Sequence, residues 1–98
     1  ELGKYAESIA YSNQSLTLAR ANRFNRVEVA SYQNLGAAYL KLQQYPKVIE
    51  YYDKALQLAK AVGYTKAMLN SALQLSEAYE RQGNTLKAFE YYKMHTQW

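Results

Sequence analysis

Few residues in this chain have types and spacing that could do chemistry. His95 is the only histidine and there is no cysteine, so neither a metal-ligand set nor a thiolate nucleophile can be assembled. Glu77 and Glu80 stand three apart on what reads as one helix face. Nothing in the sequence raises the pKa of either, as acid–base work requires, and a solvated helix face accounts for them. No glycine-rich phosphate loop is present and the serines have no base partner. The sequence therefore implies no catalytic residue, no metal and no cofactor. The polar side chains with more to offer are amides and cations, and they recur: Gln33, Asn34 and Lys41 in one segment, Gln74 and Arg81 in another.

The elements that must carry these residues follow from composition and period. The chain has 98 residues, one domain or part of one; it begins at Glu1 without a Met and ends at Trp98 in mid-pattern, so a piece of a longer protein is expected. Four glycines and one proline give little turn punctuation, which favours helices over short strands. No apolar run approaches the roughly 20 residues of a membrane span, so this segment is not expected to insert into a bilayer. The absence of cysteine does not fix the compartment. Net charge is +4, with the basic residues spread along the chain; the tightest group, Arg20, Arg23 and Arg26, reads as solvated surface.

Sliding the sequence by forty residues brings it onto itself. Lys4–Phe24 lies on Gln44–Tyr64, pairing Tyr5 with Tyr45, Ile9 with Ile49, Leu16 with Leu56 and Ala19 with Ala59. Asn84–His95 falls on the same segment, so Glu50-Tyr51-Tyr52 recurs as Glu90-Tyr91-Tyr92. Tyr32–Gln44 lies on Ala72–Asn84, pairing Leu35 with Leu75 and Tyr39 with Tyr79.

Each unit holds two helical patterns. Tyr32, Leu35, Ala38/Tyr39 and Leu42 form one apolar stripe, and Val48, Tyr52, Ala55, Leu56 and Ala59 form another. Five helices are expected, over 4–21, 25–43, 46–61, 66–82 and 85–97. Asn25 with Glu28 reads as a capping box, Pro46 suits a first helical position, and Thr65 and Thr85 could cap the helices they precede. Gly63 and Gly83 sit where a helix ends in a left-handed residue. Connections this short force consecutive helices antiparallel, and helix pairs repeating along a chain stack into a solenoid. Tyr52 and Tyr92 are expected to turn inward against Tyr39 and Tyr79, with Tyr51 and Tyr91 towards the outer or neighbouring-helix side.

Tyr32, Leu35, Gly36, Tyr39, Val48, Tyr52 and Ala55 resemble the tetratricopeptide repeat signature, W-x2-L-G-x2-Y followed by A-x3-F. Ala72, Leu75, Ser76, Tyr79, Ala88 and Tyr92 repeat it. The resemblance covers nearly the whole chain. It implies an all-α fold in which antiparallel helix pairs stack as a right-handed superhelix, divided into a partial repeat 4–24 and repeats 25–64 and 65–98. Small residues at Gly36 and Ser76 would let helices approach closely. The chain departs from the family pattern in its period of forty rather than thirty-four, in lacking the proline after the second helix, and in placing His95 where the preceding unit has Ala55. The first unit is present only as its second helix, with Ser8, Ser12 and Ser15 at the places of Val48, Tyr52 and Ala55. The segment from Gly83 to Trp98 further resembles the last repeat before the coiled segment of bacterial sensor kinases and regulators.

The resemblance also implies where a ligand would go. In the family the first helix of each pair lines the concave surface, where peptides bind. On the first of these helices here, the face opposite the Leu35 stripe carries Ala30, Gln33, Asn34, Ala37 and Lys41; on the next it carries Asn70, Leu73, Gln74, Glu77 and Arg81. An asparagine just before the Leu-Gly pair bonds the ligand backbone in many peptide-binding members, which singles out Asn34. Its match, Gln74, offers the same donor and acceptor with longer reach. Lys41 and Arg81 occupy matching places and could hold a carboxylate. Alternatively the strip is plain solvated surface. The expected function is an interaction module for a peptide or partner domain within a bacterial signalling or regulatory protein. Two rivals stand beside it: a spacer that self-associates through open repeat ends, and an RNA-binding helical repeat. Glu77 and Glu80 beside Arg81 argue against a phosphate groove and hence against nucleic acid.

Overall fold

The chain reversals of this protein are built alike, and they set its architecture. In the computed structural model, which describes residues 2–97, they separate five helices: α1 (Leu2–Asn22), α2 (Asn25–Lys41), α3 (Tyr45–Val62), α4 (Thr65–Arg81) and α5 (Thr85–Gln97). At each reversal one residue turns left-handed: Arg23, Gln43, Gly63 and Gly83, with φ of 57°, 58°, 83° and 81°. The amide of the residue after it then reaches back to the last turn. Phe24 donates to Ala19, Gln44 to Tyr39, Tyr64 to Ala59 and Asn84 to Tyr79, at 2.8–3.0 Å. These bonds satisfy carbonyls that a helix end leaves without partners. The four sites form two pairs forty residues apart, so the repeat includes the loops. Gly63 and Gly83 behave as expected, and at Arg23 and Gln43 side chains occupy the same backbone state.

The helix starts differ from the expectation. Phe24, Gln44 and Tyr64 are the N-caps of α2, α3 and α4, and none makes a side-chain capping bond. Asn25 already lies inside α2, and the Glu28 carboxylate accepts from the Tyr32 hydroxyl at 3.0 Å instead of closing a capping box. Thr65 likewise lies inside α4. At α5 the cap is one residue earlier than Thr85: Oδ1 of Asn84 accepts the Lys87 amide at 3.2 Å. Pro46 falls in the first turn of α3, where its missing N–H costs nothing.

Each helix packs against the next in sequence, giving a slab of 35 × 33 × 15 Å. The stripe from Val48 to Ala59 is buried throughout, and in the other Tyr32, Leu35 and Ala38 are buried while Tyr39 and Leu42 are half-buried. Val29, Tyr32, Val48, Tyr52, Ala55, Leu56, Ala59, Met68, Ala72, Leu75 and Ala78 make one continuous core. Tyr52 turns inward as expected, but the rings that meet Tyr39 and Tyr79 are those of Tyr51 and Tyr91. Tyr39 stacks on Tyr51, with centroids 5.7 Å apart and planes 2° from parallel, and Tyr79 stacks on Tyr91 at 5.6 Å and 4°. Tyr52 instead lies between α2 and α4, with its ring against Gly36. Tyr92, its match, is 51% exposed, because no described helix covers the far side of α5. Leu86 and Phe89 share that open face.

Candidate functional site

The strip singled out in the sequence lies on α2 and α4, and these helices are joined across the layer by one amide. Nε2 of Gln33 donates to the Ala67 carbonyl at 3.2 Å and to the Ser71 hydroxyl at 3.1 Å. Ser71 is fully buried, so Gln33 acts as a tie between helices. Its neighbour Asn34 is exposed, as are Ala37, Lys41, Asn70, Glu77 and Arg81, while Leu73 and Gln74 are half-buried.

The strip is divided between separate hollows. Lys41, Glu77 and Arg81 converge at the C-terminal ends of α2 and α4, where with Leu40, Gln43 and Tyr45 they line a hollow of about 290 Å³. Nη1 of Arg81 donates to the Tyr45 hydroxyl at 3.3 Å, which holds the guanidinium at the rim. Two cations and one carboxylate around this hollow suit an acidic group that can also accept hydrogen bonds. Asn34 lines a different hollow, of about 240 Å³, with Tyr11, Ser12, Ser15, Arg26, Val27, Ala30 and Ser31 between α1 and α2. A third and larger one, about 500 Å³, runs past Gln33 between the N-terminal ends of α2 and α4. There the Arg26 guanidinium sits 4.4 Å over the Tyr64 ring.

On the other side of the slab, Arg20, Glu28, Tyr32, Asp53, Lys54, Gln57 and Leu58 line a groove of about 470 Å³. Lys54 Nζ lies 5.5 Å from the centre of the Tyr51 ring and 6.0 Å from that of Tyr32. The sequence reading missed this groove, because its walls come from three helices whose matching residues are not alike. Burial raises the pKa of Tyr32 above the usual phenol value, reinforced by its bond to the Glu28 carboxylate. Burial also raises that of Tyr51, with the Glu50 charge adding to it.

Nδ1 of His95 donates to the Leu69 carbonyl at 3.0 Å, so the histidine packs α5 against α4. Among the described residues no group of three His, Asp or Glu could hold a metal ion. No described helix is long and apolar enough to cross a membrane.

A family model of the tetratricopeptide repeat matches residues 1–61 and, in a second placement, residues 26–97. No curated protein matches the chain.

Proposed function

The chain belongs to the tetratricopeptide repeat family, whose repeats are generally non-catalytic protein–protein interaction modules, and on that premise we propose that it binds an acidic peptide segment along the exposed face of α2 and α4. In this reading the array is divided 4–24, 25–64 and 65–98. Asn34, Ala37, Asn70, Leu73 and Gln74 contact the ligand, Gln33 holds the face rigid, and Lys41 and Arg81 fix a carboxylate. The observation that carries it is the hollow at the ends of α2 and α4, where Lys41, Glu77 and Arg81 come together with Tyr45. The resemblance of residues 83–98 to the last repeat of bacterial regulators supports a place within such a signalling protein.

The test is an array of short peptides differing in acidic content, probed with the whole chain at low and high salt. Binding should rise with acidic residues and weaken as salt screens the exposed charges. The pair Lys41→Glu and Arg81→Glu should remove it, with the melting temperature unchanged. Acid-independent binding, or binding indifferent to both substitutions, overturns the reading.

A second reading has its own observation. Leu86, Phe89 and Tyr92 form an exposed apolar stripe on α5, and Tyr11 and Leu18 are exposed on α1. Such faces suit end-to-end self-association. A monomer in sedimentation over a wide concentration range removes this alternative.

A further inference from the structure

We infer that the edge of the slab formed by the α1–α2 and α3–α4 reversals docks on the surface of an anionic phospholipid bilayer. The inference stands apart from the acidic-peptide reading, since Lys41 and Arg81 end α2 and α4 at the opposite edge.

Basic residues that are spread along the sequence are gathered by the fold. The first and third reversals come side by side: the Arg26 guanidinium lies over the Tyr64 ring, and Arg26 lines one hollow with Gly63, Thr65 and Lys66. Arg20, Arg23 and Arg26 thereby join Lys60 and Lys66. All five are exposed, and no ion pair engages any of them among the described residues. The one carboxylate in these two segments, Glu28, is half-buried and accepts from the Tyr32 hydroxyl. Residues 20–28 and 60–66 thus hold five of the twelve Lys and Arg and one of the eight Asp and Glu, a balance of +4. The remaining seven cations and seven carboxylates cancel, so the whole net charge of the chain stands at this edge.

The arrangement recurs with the repeat. Arg20 and Arg26 match Lys60 and Lys66 at a spacing of forty, and Phe24 matches Tyr64. Each reversal therefore sets a cation in the last turn of one helix, a cation in the first turn of the next, and an aromatic ring between them. Repeats stack through helix faces and not through reversals, so this edge stays open whatever packs on α1 or α5.

Charge and shape together select the occupant. Arg20 and Lys60 close α1 and α3, while Arg26 and Lys66 open α2 and α4, so the cations form two rows at the end of a slab 15 Å thick. A chain lying along one face meets one row; a flat anionic surface meets both. Single-stranded nucleic acid stacks its bases on successive bare rings. Here the Tyr64 ring is already covered by Arg26, and Phe24, 57% exposed, is the one open ring at this edge. A duplex backbone would take the cations and leave that ring in water, whereas the headgroup layer of a bilayer takes both. Five cations also fall within the range of about four to eight that marks a basic cluster for anionic lipid.

The probes are phosphatidylcholine vesicles with and without phosphatidylserine, mixed with the whole chain and separated by flotation. The chain should float with the phosphatidylserine vesicles alone, and less of it as salt screens the edge. Lys60→Gln and Lys66→Gln should each lower the partition coefficient about fivefold, the effect of one cation at a charged bilayer. Phe24→Ser should lower it further. All three positions lie at the surface, so unchanged melting temperatures check that the variants fold. Lys41→Gln with Arg81→Gln should leave the partition coefficient nearly unchanged, since the far edge lies beyond a Debye length of roughly 10 Å from the membrane. Lys60→Gln with Lys66→Gln should in turn leave acidic-peptide binding nearly unchanged, so this inference and that reading fail separately. Duplex DNA, a single-stranded oligonucleotide and polyglutamate at the same salt decide between occupants. If any of them binds more tightly than the vesicles, and through Lys60 and Lys66, the inference is overturned. It is equally overturned if phosphatidylcholine alone binds as well, if neither vesicle binds, or if the Lys60→Gln and Lys66→Gln variants bind as the parent chain does.

Discussion

The ring of Tyr52 rests directly on the backbone of Gly36. A Cβ added at Gly36 would stand 2.6 Å from Cδ2 and Cε2 of that ring and 3.2 Å from Cγ. The ring is buried between α2 and α4, so it cannot swing aside. Gly36→Ala therefore sets two effects against each other. Alanine is the better helix former by about 1 kcal/mol, whereas overpacking a rigid site costs roughly 1–3 kcal/mol. A net loss of roughly 0–2 kcal/mol is expected in urea unfolding. In a Tyr52→Ala background the same change should become neutral or stabilising, and equal costs in both backgrounds would show that the contact does not govern the site.

Gln33 and Asn34 are adjacent amides with opposite expectations. Gln33 bridges α2 to α4 through Ala67 and Ser71, so Gln33→Leu leaves the buried Ser71 hydroxyl without that donor and should cost about 1–3 kcal/mol. Asn34 is exposed, so Asn34→Ala should leave the melting temperature within experimental scatter while weakening a bound peptide. Thermal unfolding of the two variants side by side checks both expectations. Truncating the core sets the upper end of the scale: Leu35→Ala or Leu75→Ala, each at a fully buried position, should cost about 2–5 kcal/mol.

What the sequence made legible follows from which interactions are periodic. The stripes of Leu35 and Val48 repeat at helical spacing, and burial follows spacing, so helices, order and core could be read directly. Helix starts could not. Asn25 and Thr65 have capping side chains, but the chain enters α2 and α4 one residue earlier than they require, and the Glu28 carboxylate is taken by Tyr32. The choice between Tyr51 and Tyr52 as the partner of Tyr39 turns on about 100° of rotation round one helix, and both carry the same ring. The strip on α2 and α4 was legible as a set of positions. Its division into separate hollows was not, because the bond from Gln33 to α4 joins residues 38 apart in sequence.

The left-handed residues give a prediction the repeat itself supplies. Gly63 and Gly83 hold φ near +80°, and their partners forty residues earlier, Arg23 and Gln43, hold φ near +57° with side chains attached. A left-handed state costs a non-glycine residue roughly 1–2 kcal/mol. Glycine avoids that cost but gives the unfolded chain more freedom, by about 0.4–1 kcal/mol. Gln43→Gly should therefore stabilise the protein by roughly 0.5–1 kcal/mol, read as a higher urea midpoint at unchanged slope. Its side chain makes no hydrogen bond among the described residues that would be lost. A lower midpoint would show that Gln43 packs at the hollow beside Lys41 more favourably than the backbone argument allows.

Four tyrosines tie stability to alkaline pH. Burial is the first cause that raises the pKa of Tyr32, Tyr51, Tyr52 and Tyr91; the Glu77 charge adds to it at Tyr52, and the Asp53 charge at Tyr91. In the unfolded chain each phenol titrates near 10. Above that pH the unfolded state loses protons that the folded state still holds, so stability must fall as pH rises. Below it both states are protonated and these groups add no slope. The expected curve is flat with respect to tyrosine up to about pH 9 and declines above about pH 10. Absorbance at the phenolate band should show part of the eleven tyrosines ionising late, together with unfolding. Tyr52→Phe removes the most buried of the four hydroxyls and should make the alkaline decline shallower, with little loss at neutral pH. If the decline keeps its full steepness in that variant, the burial of Tyr52 between α2 and α4 is not what couples the fold to pH.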